Sequence, residues 1–104
     1  MLFPISSNLP PQAIHQQVEH PFQAKLVERL KKKFPDLDAS KFNISTIQPR
    51  LWNNSSLGCP VPGENYLQVL TQGYLIQCEF GGKKMEIHTN EHFSHFRMPG
   101  VGGI

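Results

Sequence analysis

The sequence predicts a single α+β domain, one amphipathic helix packed on a small antiparallel sheet of three to four strands. Three observations carry that expectation. Apolar residues recur at helical spacing from Phe22 to Phe34, apolar and polar residues alternate on both sides of Gly81-Gly82, and 104 residues suit one modest core.

Phe22, Leu26, Leu30 and Phe34 fall four residues apart with Val27 beside them, while Lys25, Glu28, Arg29 and Lys32 lie elsewhere on the wheel. Pro21 suits a first helical position and Pro35 stops the pattern, so the helix is expected over residues 21–34. Lys31-Lys32-Lys33 ends it, where ammonium groups offset the partial negative charge of the helix terminus. That run reads as a solvated helix end rather than a phosphate-binding patch.

After a turn at residues 35–38, Phe42, Ile44 and Thr46 alternate with Asn43, Ser45 and Ile47, which predicts a strand. Pro49 has no N–H for a ladder, so this strand lies at an edge or stops there. The strongest β signal follows. Tyr74, Ile76, Cys78 and Phe80 alternate with Leu75, Gln77 and Glu79, and Gly81-Gly82 suits a two-residue type I′ turn. That turn sets Phe80 opposite Lys83, Cys78 opposite Met85 and Ile76 opposite Ile87 on one face. Glu79 then meets Lys84, and Leu75 meets His88, on the other face. Residues 66–70 also alternate, with Gly73 as a bulge joining them to the hairpin. Residues 1–20, with Pro4, Pro10 and Pro11, read as a loosely held arm. Residues 21–97 read as the domain, and 98–104 as a flexible glycine-rich tail.

Composition excludes several classes. Hydrophobic residues are 38% and aromatics 10%, too many for a disordered chain. A formal charge of +2 supplies no basic field for nucleic acid. No stretch approaches the roughly 18 apolar residues of a membrane span. Residues 1–11 lack the pattern of a signal peptide, so the chain reads as cytoplasmic, with no membrane partner. The two cysteines, Cys59 and Cys78, do not make a disulfide scaffold. Two reduced thiols are expected, with one bridge between them as the open alternative.

The unusual segment runs from Leu51 to Tyr66. It holds the only tryptophan, a thiol, Pro60, Pro62, Gly58 and Gly63, a composition that stiffens a loop into one shape. Trp52, Leu57 and Tyr66 are suited to plugging the open end of the sheet. The functional alternative is a rigid presented loop, with Trp52, Leu57, Cys59, Pro60, Pro62, Tyr66 and His88 as candidate binding residues.

The pattern Trp52, Leu57-Gly58-Cys59-Pro60, Pro62-Gly63, Tyr66 with Gln68-Val69, Gly73-Tyr74 with Ile76, and His88-Thr89 resembles an uncharacterised family of small bacterial proteins. The resemblance covers residues 42–90. It implies one folded unit and supplies no reaction. Members commonly carry an aromatic before the His-Thr pair, where this chain has Met85 and Ile87. Many also place a second cysteine near the C-terminus, and none follows Cys78 here.

A nucleophilic Cys59 would need a lowered pKa and a base, for which His88 is the nearest candidate; no orienting group or oxyanion donor accompanies them. His88, His92 and His95 would suit zinc only on a helix, and His88 falls in a strand, so scattered surface histidines are expected. No phosphate loop, dinucleotide fingerprint or Ser-His-Asp pattern occurs, and no catalytic residue, metal or cofactor is expected. The residues favour a non-enzymatic binding or regulatory module whose partner is another protein or a small ligand, with loop-presenting protease inhibitors as an analogy. The alternatives are a small thiol-dependent enzyme or redox protein using Cys59, and a structural subunit pairing through residues 42–48. The oligomeric state stays open.

Overall fold

A computed structural model describes residues 20–104 of the chain. The arm expected at residues 1–20 lies outside them, apart from His20. The described residues form helix α1 (Gln23–Lys33), a 3-10 turn (Ala39–Lys41) and strands β1 (Phe42–Trp52), β2 (Thr71–Phe80), β3 (Lys83–Asn90), β4 (Phe96–Met98) and β5 (Gly102–Gly103). All five strands are antiparallel and pair in sequence order. The class is α+β, with a sheet of five strands where three to four were expected.

Helix α1 buries Leu26 and Leu30 completely, and Phe22 at its N-cap joins them. These meet Ile76, Cys78, Phe80, Ile87 and Phe96 on the inner face of the sheet. Each such side chain contributes about 1.5–3 kcal/mol on leaving water. Lys31, Lys32 and Lys33 occupy the last helical turn, as their charge suggests. Pro21 stands in the turn before the helix, because Phe22 takes the N-cap position.

The β2–β3 register is the predicted one, with Phe80 opposite Lys83, Glu79 opposite Lys84, Cys78 opposite Met85 and Ile76 opposite Ile87. Gly81 and Gly82 take φ of 54° and 91°, the left-handed region that a type I′ turn demands at both positions. β1 departs from its expected alternation. A bulge between Ile44 and Thr46 inserts Ser45, so Ile47 rather than Thr46 follows Ile44 onto the inner face. Thr46 turns outward to Gln77, donating to its Oε1 over 3.4 Å. β1 lies at the sheet edge and continues through Pro49 to Trp52.

Two expectations are corrected by backbone pairing. Residues 66–70 form no strand; β2 starts at Thr71, and Gly73 lies inside it, opposite both Arg50 and Asn90, rather than at a bulge. The glycine-rich tail is not loose. Arg97 and Met98 pair with Gly103 and Gly102, and Ile104 N–H donates to Phe96 O over 3.0 Å. Gly102 makes this possible: its φ is 91°, and a Cβ there would lie 2.8 Å from Val61 Cγ2.

Candidate functional site

Alternation puts Ile76, Ile87 and Thr89 on the inner face, and Gly73, Leu75, His88 and Arg97 on the outer one. The loop 53–66 folds back over that outer face. Trp52, the last residue of β1, anchors it. Its indole stacks on the His88 imidazole, with centroids 4.4 Å apart and planes 11° from parallel. Its Nε1–H donates to Thr89 O over 3.1 Å. Only glycine at 73 leaves room, because a Cβ would sit 2.9 Å from that nitrogen and 1.9 Å from Thr89 O.

The next turn is held by its own side chains. Asn54 Oδ1 accepts from Ser56 N–H over 2.9 Å and from the Ser56 hydroxyl over 2.6 Å. Leu57 N–H donates to Asn54 O, and Cys59 N–H to Ser56 O. Leu57 and Gly58 have φ of 55° and 75°, the first rare for a leucine. Gly58 lies against the stack; a Cβ would stand 3.0 Å from the Trp52 ring and 3.3 Å from His88 Nδ1.

The loop's second half is tied by charge. Arg97 Nη2 donates to Cys59 O over 3.0 Å and to Glu64 Oε1 over 2.6 Å, while its guanidinium lies 5.4 Å from the centre of the Tyr66 ring. The Tyr66 hydroxyl accepts from Val61 N–H over 2.6 Å and donates to Glu64 Oε1 over 2.7 Å. Those bonds, from Tyr66 first and Arg97 second, hold the Glu64 carboxyl below the usual carboxylate range.

The structure therefore brings together Trp52, Leu57, Cys59, Tyr66 and His88, but as packing. Trp52, Leu57, Cys59 and His88 are buried, Tyr66 is half-buried, and Pro60 and Pro62 are exposed at the loop's tip. His88 is not a surface histidine, unlike His92 and His95. Its Nδ1 lies 2.5 Å from Leu57 O and its Nε2 lies 2.6 Å from Glu86 Oε2. Both nitrogens are thus committed, and neither is free to serve the Cys59 thiol. Cys59 points its Sγ at Leu57 O, and burial pushes the thiol up to about 11. Cys78, beneath the sheet, is raised likewise to about 11. Both cysteines are free, on opposite faces of the sheet. No group of His, Cys, Asp or Glu among the described residues suits a metal ion.

Sequence reasoning missed Arg97, Glu86 and the role of Gly73. Their signal was register: carrying the hairpin one strand further sets Arg97 opposite His88, with Glu86 two residues before it on the same face. The short β4 gave too little pattern to extend that register.

Two surfaces remain open. Leu51, Leu67, Val69 and Leu70 are 54 to 71% exposed. A groove of about 530 Å³ beside the start of α1 is lined by Phe22, Ile47, Tyr74 and Phe93, with His20, Lys25 and His92 at its edge. Phe93 is stacked between Phe22 and Tyr74 at 4.2 and 5.1 Å.

Among the described residues no helix is long and apolar enough to cross a membrane. Comparison with curated proteins and with solved structures gives no match. A family model does match, over residues 22–98, spanning α1 to β4 and every residue of the buttressed loop. The chain belongs to that family, described as Domain of unknown function (DUF8738).

Proposed function

We propose that this protein is a non-enzymatic binding module that engages another protein through the apolar surface beside its buttressed loop. One observation carries this reading: Leu67, Val69 and Leu70, three large apolar side chains within four residues, stand 54 to 71% exposed, and Leu51 at the end of β1 is 58% exposed. Single exposed leucines are ordinary, but three large apolar side chains exposed within four consecutive residues suit a contact surface. Leu51 and Leu70 flank the Trp52–Thr71 pair that closes the β1–β2 ladder. Leu67 is fixed to the loop, since its N–H donates to Ser55 Oγ over 2.8 Å and its O accepts from Ser55 N–H over 3.0 Å. The buried loop then serves as the brace, and the surface it steadies as the contact.

The thiol alternative has the chemistry against it. A buried thiol held near 11 supplies little thiolate at neutral pH, and His88 is engaged elsewhere. An inhibitor-like version would act through the exposed tip at residues 60–64; a panel of serine and cysteine proteases left uninhibited by micromolar protein removes it. Pairing through the β1 edge would appear as a mass that rises with concentration in light scattering.

The deciding experiment compares the parent with a Leu67→Asp, Leu70→Asp variant in cross-linking capture. Both side chains already face solvent, so the variant's stability should stay within about 0.5 kcal/mol of the parent. A partner held by the parent and lost by the variant is the expected outcome. A partner held equally by both defeats the reading.

A further inference from the structure

Four rings stand in one column beside the start of α1. His20 lies 5.6 Å from Phe22 with planes 26° apart, Phe22 lies 4.2 Å from Phe93 at 1°, and Phe93 lies 5.1 Å from Tyr74 at 6°. Phe93 holds its place against the preference of its backbone. Its φ of 54° is one that glycine or asparagine adopts far more readily than phenylalanine. The loop after β3 imposes it. Phe93 N–H donates to Asn90 O over 3.2 Å, while Asn90 Oδ1 accepts from Ser94 N–H over 2.9 Å and from His95 N–H over 3.2 Å. Unfavoured backbone held in this way by surrounding bonds gathers at ligand clamps.

The groove along the column has the make-up of a small-molecule site. Its volume of about 530 Å³ falls within the roughly 300–1,000 Å³ of such sites. Pro21 and Ile47 complete an apolar lining with Phe22, Phe93 and Tyr74. Its polar groups are few, and all carry nitrogen: His20, Lys25 and His92. Among the described residues no carboxylate lines it. His92 Nε2 is met by Glu91 Oε1 at 3.5 Å, whereas Lys25 meets no carboxylate among the described residues. The Lys25 ammonium is therefore the charge left for a ligand.

We propose that this groove binds a small planar aromatic anion, with its ring against Phe93 and Tyr74 and its carboxylate toward Lys25. Ring walls select a flat aromatic partner over an aliphatic one, because aromatic pairs gain more than the area they bury. The ammonium selects a carboxylate over a neutral group of the same shape. The groove shares no residue with the exposed Leu67, Val69 and Leu70, so either site can fail without the other.

NMR titration of the intact chain tests the site with three probes: 2-naphthoate, the neutral 2-naphthamide and the saturated cyclohexanecarboxylate. With naphthoate the signals of Phe22, Ile47, Tyr74 and Phe93 should shift together and saturate, and the other two probes should bind more weakly. Lys25 is exposed, so Lys25→Gln alters the site without disturbing the core. That variant should weaken naphthoate by about two- to fivefold and leave naphthamide unchanged. Phe93→Leu keeps apolar bulk and loses the ring; it should weaken naphthoate by about two- to tenfold. Lys83→Gln, beside the hairpin turn, removes an equal charge far from the groove and should change neither probe. Groove signals that do not saturate, or equal affinity for all three probes, overturn the proposal. So does a groove already filled in the free chain, shown by contacts of residues 1–19 with Phe93 or by a mass that doubles with concentration.

Discussion

Two residues decide whether the site can exist, and each does so by what it lacks. Gly73 has no Cβ, which lets the β3 backbone and the Trp52 indole converge on it. Gly73→Ala places a methyl 1.9 Å from Thr89 O, so strands must part. A loss of about 2 kcal/mol or more is expected in urea unfolding; an unchanged midpoint would refute the close approach. Cys59 lacks access to water. Its thiol is raised from 9.0 to about 11, chiefly by desolvation, and Cys78 is raised in the same way. The folded chain therefore keeps protons that the unfolded chain gives up between those values, and stability declines as pH rises through that window. At pH near 8, alkylation should be slow in the folded protein and fast in urea. Equal rates in both would show that the loop does not cover Cys59.

At the scale of elements, the helix and hairpin obey local rules, whereas the loop depends on distant partners. α1 is stabilised by burying one stripe, so Leu30→Ala should cost about 2–5 kcal/mol in chemical denaturation. Lys32→Ala, on the exposed side, should cost less than about 0.5 kcal/mol. Comparable losses for the two would place the stripe wrongly. The hairpin was readable because its glycines, alternation and cross-strand charges all specify one register. β1 was only half readable. Its alternation ran evenly through Thr46, and the Ser45 bulge that diverts Ile47 inward leaves no mark in composition. The tail was misread for a related reason. Glycines lower intrinsic order, yet Gly102 is needed where β5 passes Val61.

At the scale of the molecule, the sheet is covered on both faces by different means. The inner face is sealed by α1 with aliphatic and aromatic side chains. The outer face is covered at one end by a short loop held with an aromatic stack, the Arg97–Glu64 ion pair and side-chain bonds to backbone carbonyls. Polar fastening of this kind is directional, whereas the apolar seal is not. The exposed Leu67 is bonded to that loop through Ser55.

The hairpin register, the amphipathic helix and the inward Cys78 were determined by the sequence alone, because each depends on residues near one another in the chain. Tertiary structure decided where the segment around Trp52 lies. The bond of Trp52 to Thr89, the contact of His88 with Leu57 and the clasp of Arg97 on Glu64 join residues 37, 31 and 33 positions apart. Such contacts depend on where the backbone returns, a geometry that no local spacing records.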